Sequence, residues 1–337
     1  MLNRKRFGVN MIKRKPVSPL VDFVFKILFG TEENKDLLID LLNSILSLQG
    51  EKRITSVELL NPYSDKEFEG DKLSIVDVKA KDSKENIYQI EMQLSLAPSL
   101  PMRMAYLNAD LYSAQLKSGK DFALLKPVIS IWIFNRDLTF DCIEGEEIPR
   151  LLVGKKQLAL RKNRPKNGSS ESSKPAPFHH HFQLYDVENH RLLTPDCSIH
   201  LIELPKWNKL KTHPSTQLDN WCSFFLEGEA AMILEPEEMK EIPEWMTSPE
   251  IKQAISALQT ISEKEATYHL YQSRLNFLRD QRGFERGMEE LKEENETAVK
   301  EKKAAIQREE AAVEEKEKLK AKNEQLRLAL QKAGIQV

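Results

Sequence analysis

The sequence predicts a mixed α/β (α+β) domain, a central sheet flanked by helices, continued by a long charged C-terminal helix. Three observations lead there. Two amphipathic helical stripes open the chain. A pair of strand-like segments at 72–81 and 87–94 precedes a helix and then an apolar, β-branched run at 127–134 (PVISIWIF). Between Met288 and Lys332, 23 of 45 residues are charged, 12 acidic and 11 basic, with no Gly or Pro.

The first helix is expected from Ser18-Pro19, with Ser as N-cap and Pro at the first helical position. Leu20, Phe23, Val24, Ile27 and Leu28 form its apolar stripe, and Gly30 ends it. Thr31 is expected to cap a second helix carrying Leu37, Leu38, Leu41, Leu42, Ile45 and Leu46, which stops at Gly50. Residues 53–60 read as a short strand and Asn61-Pro62 as a turn. The 72–81 and 87–94 strands, joined by the polar 82–86, read as a hairpin. A helix over about 102–116 ends at Ser118-Gly119, and 127–134 is a buried central strand. Residues 154–177 are basic, then Ser/Pro-rich, as in a surface insertion. Strands are expected at 182–187 and 198–204, and helix over 219–280. The organisation is then a basic arm at 1–17, a core at 18–210 with the 154–177 insertion, a helical region at 211–283 and a charged tail at 284–337. In the tail, Leu291, Val299, Ile306, Val313, Leu319, Leu326 and Leu330 recur at roughly every seventh position. Two readings stand: a self-associating coiled coil giving a homo-oligomer, or a single exposed helix.

The 337 residues carry 50 Lys+Arg and 52 Asp+Glu, a formal net charge of −2. That excludes a uniformly basic nucleic-acid coat and an acidic disordered chain, so any grip on a polyanion must be local. The basic arm (Arg4, Lys5, Arg6, Lys13, Arg14, Lys15) and the insertion are two such concentrations. No apolar run approaches the roughly 18 residues of a membrane span, and no apolar segment follows the basic arm as in a secretory signal. Met11 is an alternative start to Met1. Cys142, Cys197 and Cys222 form no CxxC pair, which fits reduced thiols in a cytoplasmic protein.

Chemistry concentrates in the hairpin. Strand alternation puts Asp77 on a face with Lys79, and Glu91 on a face with Gln89 and Gln93. Antiparallel pairing can set Asp77 beside Glu91. Two carboxylates with a neighbouring backbone carbonyl are hard oxygen ligands that suit Mg²⁺, and their mutual repulsion calls for a cation. On spacing alone, a solvated outer face is the commoner arrangement. Asp22 and Lys26, at i and i+4, read equally as a helix-surface ion pair. His179, His180 and His181 alternate in direction along a strand and have no acidic partner at zinc-ligand spacing.

The pieces DFVFKILFG (22–30), NKDLLIDLLNSIL (34–46), LNPY (60–63), SIVDVKAKD (74–82), YQIEMQ (88–93), RMAYLNADLYSAQLKSG (103–119), PVISIWIF (127–134), FHHHFQLYD (178–186) and IELPK (202–206) follow one another in a telling order. Over Ser18–Pro205 the chain resembles the PD-(D/E)XK nuclease family transposases, the Rpn-type recombination-promoting nucleases. The resemblance implies a restriction-endonuclease-like core with a mixed central sheet, and a Mg²⁺-dependent DNA endonuclease (Mn²⁺ as the alternative ion) that hydrolyses phosphodiester bonds. It implies Asp77 and Glu91 as metal ligands, with the Met92 carbonyl between them. Gln93 stands where the wider superfamily has lysine; an amide can orient a water but carries no charge and is no base. Lys79 or Lys26 would then supply the positive charge, with Asp22 an auxiliary acid. Arg103 and Tyr106, with Gln115 further along, would contact DNA. No DDE-type triad accompanies the transposase name. The rival is a catalytically inactive nuclease-fold protein that binds DNA or acts as a scaffold through its tail.

Overall fold

The computed structural model describes residues 15–63, 76–97, 99–116, 119–141, 150–152, 177–210, 216–233 and 242–332. The basic arm over 1–14, the start of the expected strand before Val76 and the Ser/Pro-rich stretch up to 176 lie outside them. Two compact units divide the chain, one ending at Arg274 and one beginning at Leu275.

In the first unit, α1 (Asp22–Phe29) and α2 (Lys35–Ile45) precede β1 (Val57–Leu59), β2 (Val78–Asp82) and β3 (Ile87–Gln93). Then come α3 (Leu100–Ser113), β4 (Val128–Phe134) and a separate ribbon of β5 (Thr139–Asp141) with β6 (Arg150–Leu152). β7 (His179–Asp186), β8 (Arg191–Glu203), α4 (Leu204–Leu210), α5 (Gln217–Ala231) and α6 (Pro249–Glu263) follow, and α7 runs over Glu265–Lys332. The sheet order is β1-β2-β3-β4-β8-β7. Its outer pairs are antiparallel and β3-β4-β8 are parallel, which makes it the mixed sheet the sequence predicts.

The parallel centre explains the composition of 128–134. A strand covered on both faces loses the apolar/polar alternation, and six of the seven β4 residues are buried. α3 lies over one face, where Leu100, Met104, Leu107, Trp132, Phe134 and Leu201 share a cluster. Asn108 fastens that helix: its amide donates to Ser130 Oγ at 2.8 Å and to the Ser198 carbonyl at 3.2 Å. Gln89 on β3 donates to the same Ser130 hydroxyl at 2.7 Å. Away from α3, the helices make their own aromatic core, with Phe25 and Phe29 of α1 against Trp221 and Phe225 of α5. Asp40 of α2 is buried among them and takes hydrogen bonds from Trp221 Nε1 at 2.9 Å and Gln217 at 2.7 Å.

Several elements differ from expectation for local reasons. Ser18 does not cap α1: its carbonyl accepts the Val21 N–H at 3.3 Å, closing a turn, and the helix starts at Asp22. The Ser18 N–H instead meets the Tyr271 hydroxyl of α7 at 3.1 Å. Thr31 does not cap α2: its hydroxyl donates to the Ile27 carbonyl at 3.0 Å, finishing α1, and a 3-10 turn at Glu32–Asn34 intervenes. Gly30 sits where a Cβ would lie 2.7 Å from the Lys26 carbonyl, so the close of α1 leaves no room for a side chain there, and Val78 of β2 lies in ordinary contact at 3.5 Å. The expected 198–204 strand begins earlier, since β8 reaches back to Arg191 to pair with β7. The helical reading over 219–280 is broken between α5 and α6.

The β2–β3 turn is organised by one carboxylate. Asp82, 7% exposed, accepts the Lys84 and Asn86 N–H groups at 2.8 and 2.9 Å, the Asn86 amide at 2.8 Å and the Tyr88 hydroxyl at 2.9 Å. Asp82→Ala strands the Tyr88 hydroxyl and two peptide donors, and is expected to lower unfolding stability by about 3 kcal/mol, read from urea denaturation at neutral pH.

Candidate functional site

β2 and β3 pair with Val78 opposite Ile90 and Lys79 opposite Gln89. One step further along that register, Asp77, at the bend before β2, stands opposite Glu91. The Met92 N–H donates to Asp77 Oδ2 at 2.9 Å, so the Asp77 side chain is fixed on the backbone of β3. Both carboxylates are almost out of solvent, with side chains 10% and 5% exposed.

Three cations from three helices meet three acids here. Lys26 of α1 places Nζ 3.3 Å from Asp77 Oδ1. Arg103 of α3 reaches within 3.6 Å of Glu91 Oε2, and its guanidinium lies 5.6 Å from the Trp132 ring centroid. Arg274 of α7 grips Asp22 with two parallel bonds, 2.8 Å to Oδ1 and 2.6 Å to Oδ2. Asp22 and Lys26 are therefore not each other's ion pair; they face the same corner with different partners.

The electrostatics are dominated by desolvation. Burial, with Asp77 beside it, pushes the Glu91 carboxyl up to about 8, against the pull of Arg103, Lys26 and the Asp77 peptide N–H. Burial also raises Asp77, offset by the Met92 N–H and Lys26. Glu91 Oε1 is buried and accepts no hydrogen bond among the described residues. An unmet carboxylate oxygen beside a second carboxylate is a donor set that fits a hard divalent cation. No cluster of three His, Cys, Asp or Glu suited to a metal occurs among the described residues. Mg²⁺ is commonly held by one or two carboxylates and keeps its own waters, so two suffice.

The remaining candidates divide. Lys79 is half-buried on β2 opposite Gln89, and the cation seated on Asp77 is Lys26. Gln93 directs its amide to the Ser95 carbonyl at 3.1 Å. Tyr106 is 48% exposed on α3. Gln115 is engaged with the Lys126 backbone, donating to its carbonyl and accepting its N–H, both at 2.9 Å. His179 and His181 turn to His200, at 3.0 Å between ring nitrogens and 4.1 Å between ring centroids. Burial holds the His200 imidazole neutral, down to about 3. His180 points the other way, 2.8 Å from the buried Glu203, on which the Lys206 ammonium is seated.

Sequence reasoning missed Arg274. It stands 252 residues from Asp22, and no local pattern in the helix that carries it advertises the contact. Cys197 and Cys222 are free thiols, and no described helix is long and apolar enough to cross a membrane.

Residues 19–146 and 169–285, well over half of the chain, match the family model described as PD-(D/E)XK nuclease family transposase. No curated protein and no solved structure matches the chain.

The raised Glu91 carboxyl makes metal-free stability depend on pH. The native state keeps a proton that the unfolded chain, with its ordinary value of 4.5, releases, so this contribution is full below 4.5 and is lost as pH rises through about 8. In chelator-treated protein the thermal midpoint is expected to fall between about pH 5 and about pH 8. Glu91→Gln should flatten that fall; an unchanged slope in the variant would contradict the assignment.

Proposed function

Because the chain belongs to the PD-(D/E)XK nuclease family transposases, we propose that it is a divalent-cation-dependent DNA endonuclease that hydrolyses phosphodiester bonds at the Asp77–Glu91 hairpin. The observation that carries this is the buried carboxylate pair with one oxygen of Glu91 unmet among the described residues. Asp77 and Glu91, with the Met92 carbonyl between them, are the groups that would hold Mg²⁺ or Mn²⁺. When bound, such an ion supplies polarisation of a water and of a phosphoryl oxygen.

The chain's own residues do the rest. Lys26 lies on Asp77 and Arg103 beside the protonated Glu91; with a cation in place of that proton, both positive groups would be free to meet a phosphate entering the same corner. Lys26 thus takes the place of the lysine that Gln93 does not provide. Arg274 holds Asp22, which orients the first turn of α1 and with it Lys26 one turn on. Tyr106, exposed on α3 near Arg103, offers a ring for stacking on DNA. Gln93 fixes the strand end through Ser95 and borders the ligand shell. Recombination is the setting this activity serves under the resemblance.

The test is nicking of supercoiled plasmid with and without Mg²⁺. Asp77→Ala should abolish cleavage while circular dichroism stays native, and Lys26→Ala should slow it by about 100-fold. Equal cleavage by wild type and Asp77→Ala would remove the assignment, and no cleavage by wild type would favour the inactive scaffold.

A further inference from the structure

The second compact unit is the charged run of α7 from Leu275 on. Leu291, Val299, Ile306, Val313 and Leu319 are all exposed along it, an apolar stripe with no partner among the described residues. The sequence carries two seven-residue repeats side by side: Leu291, Ala298, Ala305, Ala312 and Leu319, and Val299, Ile306 and Val313. Small residues next to β-branched ones allow two helices to approach closely.

Charge along this helix is arranged in four blocks of alternating sign. Residues 285–296 hold six acids and two bases, and 297–303 three bases and one acid. Residues 304–315 hold four acids and one base, and 316–332 six bases and two acids. An acidic start and basic end would suit a single helix's own dipole. The two inner blocks run against that order, because the basic block precedes the acidic one. The helix macrodipole does not account for the pattern.

A second copy of the chain does. We propose that this helix pairs with the same helix of a second copy, antiparallel, about a two-fold axis between Ala305 and Ile306. In that arrangement every block lies level with one of opposite sign. Lys302 and Glu309, which sit between the apolar repeats, lie level with each other's copies. A parallel pair in register sets each block against itself, with Lys302 on Lys302 and Glu309 on Glu309, and like charges repel at each seam position. The two-fold pair is closed, whereas a staggered parallel pair leaves unmatched ends that recruit further chains.

Cysteine cross-linking in the full chain separates the arrangements, in a background with Cys142→Ser and Cys197→Ser that retains the buried Cys222. In the antiparallel pair Ala305→Cys lies beside its own copy and should form a disulfide-linked dimer under mild oxidation. Leu291→Cys lies about 44 Å from its own copy at about 1.5 Å per residue and should not link alone, nor should Leu319→Cys. Mixed together, those two variants should link, because position 291 lies level with 319–320 of the other chain. Self-linking of Leu291→Cys would overturn the proposal in favour of a parallel pair. Absence of any cross-link, with a monomer mass by light scattering, would overturn it altogether.

Discussion

The site rests on one uncomfortable fact: two carboxylates, Asp77 and Glu91, are brought together by a hairpin and removed from water. Desolvation and mutual repulsion both act against their charge, and Glu91 responds by holding its proton up to about 8. A fold does not gain stability from such a pair. Its presence at the end of a buried strand pair makes sense when a cation supplies the missing charge. The surrounding cations make the arrangement tolerable without one. Lys26, Arg103 and Arg274 each sit beside a separate acid: Asp77, the protonated Glu91 and Asp22.

The architecture explains how those cations arrive. The mixed sheet puts β3 between antiparallel β2 and parallel β4, and Lys26 of α1 and Arg103 of α3 reach the acids at that end of the hairpin. α1 comes within reach with its C-terminal Gly30 packed beside Val78 of β2. α3 is held by Asn108 across β4 and β8, which places Arg103 over Trp132 and beside Glu91. The buried Gln89–Ser130–Asn108 set fixes the sheet face on which Asp77 and Glu91 lie. The catalytic reading remains our proposal; membership of the nuclease family is what the match to its model establishes.

Much of this was legible in the sequence where the physics is local. Period-two alternation located the hairpin and the Asp77–Glu91 pair, and the apolar, β-branched run located the central strand. What depended on distant partners was not legible. The Asp22–Arg274 pair spans almost the whole first unit, and Lys26 was only one of two lysines that could have reached Asp77. Ser18 and Thr31 look like helix caps, yet tertiary and neighbouring-turn bonds take their polar groups elsewhere. Gln115 carries no local sign that it will be consumed by the Lys126 backbone. The near-zero net charge hid unlike parts: a paired acidic corner in the first unit, and a tail whose blocks cancel only in sum.

The central claim, that the carboxylate pair is completed by a divalent cation, is tested most directly by calorimetric titration of Mg²⁺ at neutral pH in two buffers of different ionisation enthalpy. Binding should be lost in Asp77→Asn and in Glu91→Gln, and in the wild type it should release close to one proton, the one Glu91 holds when metal-free. Binding undiminished in either variant, or no binding by the wild type, would contradict the claim.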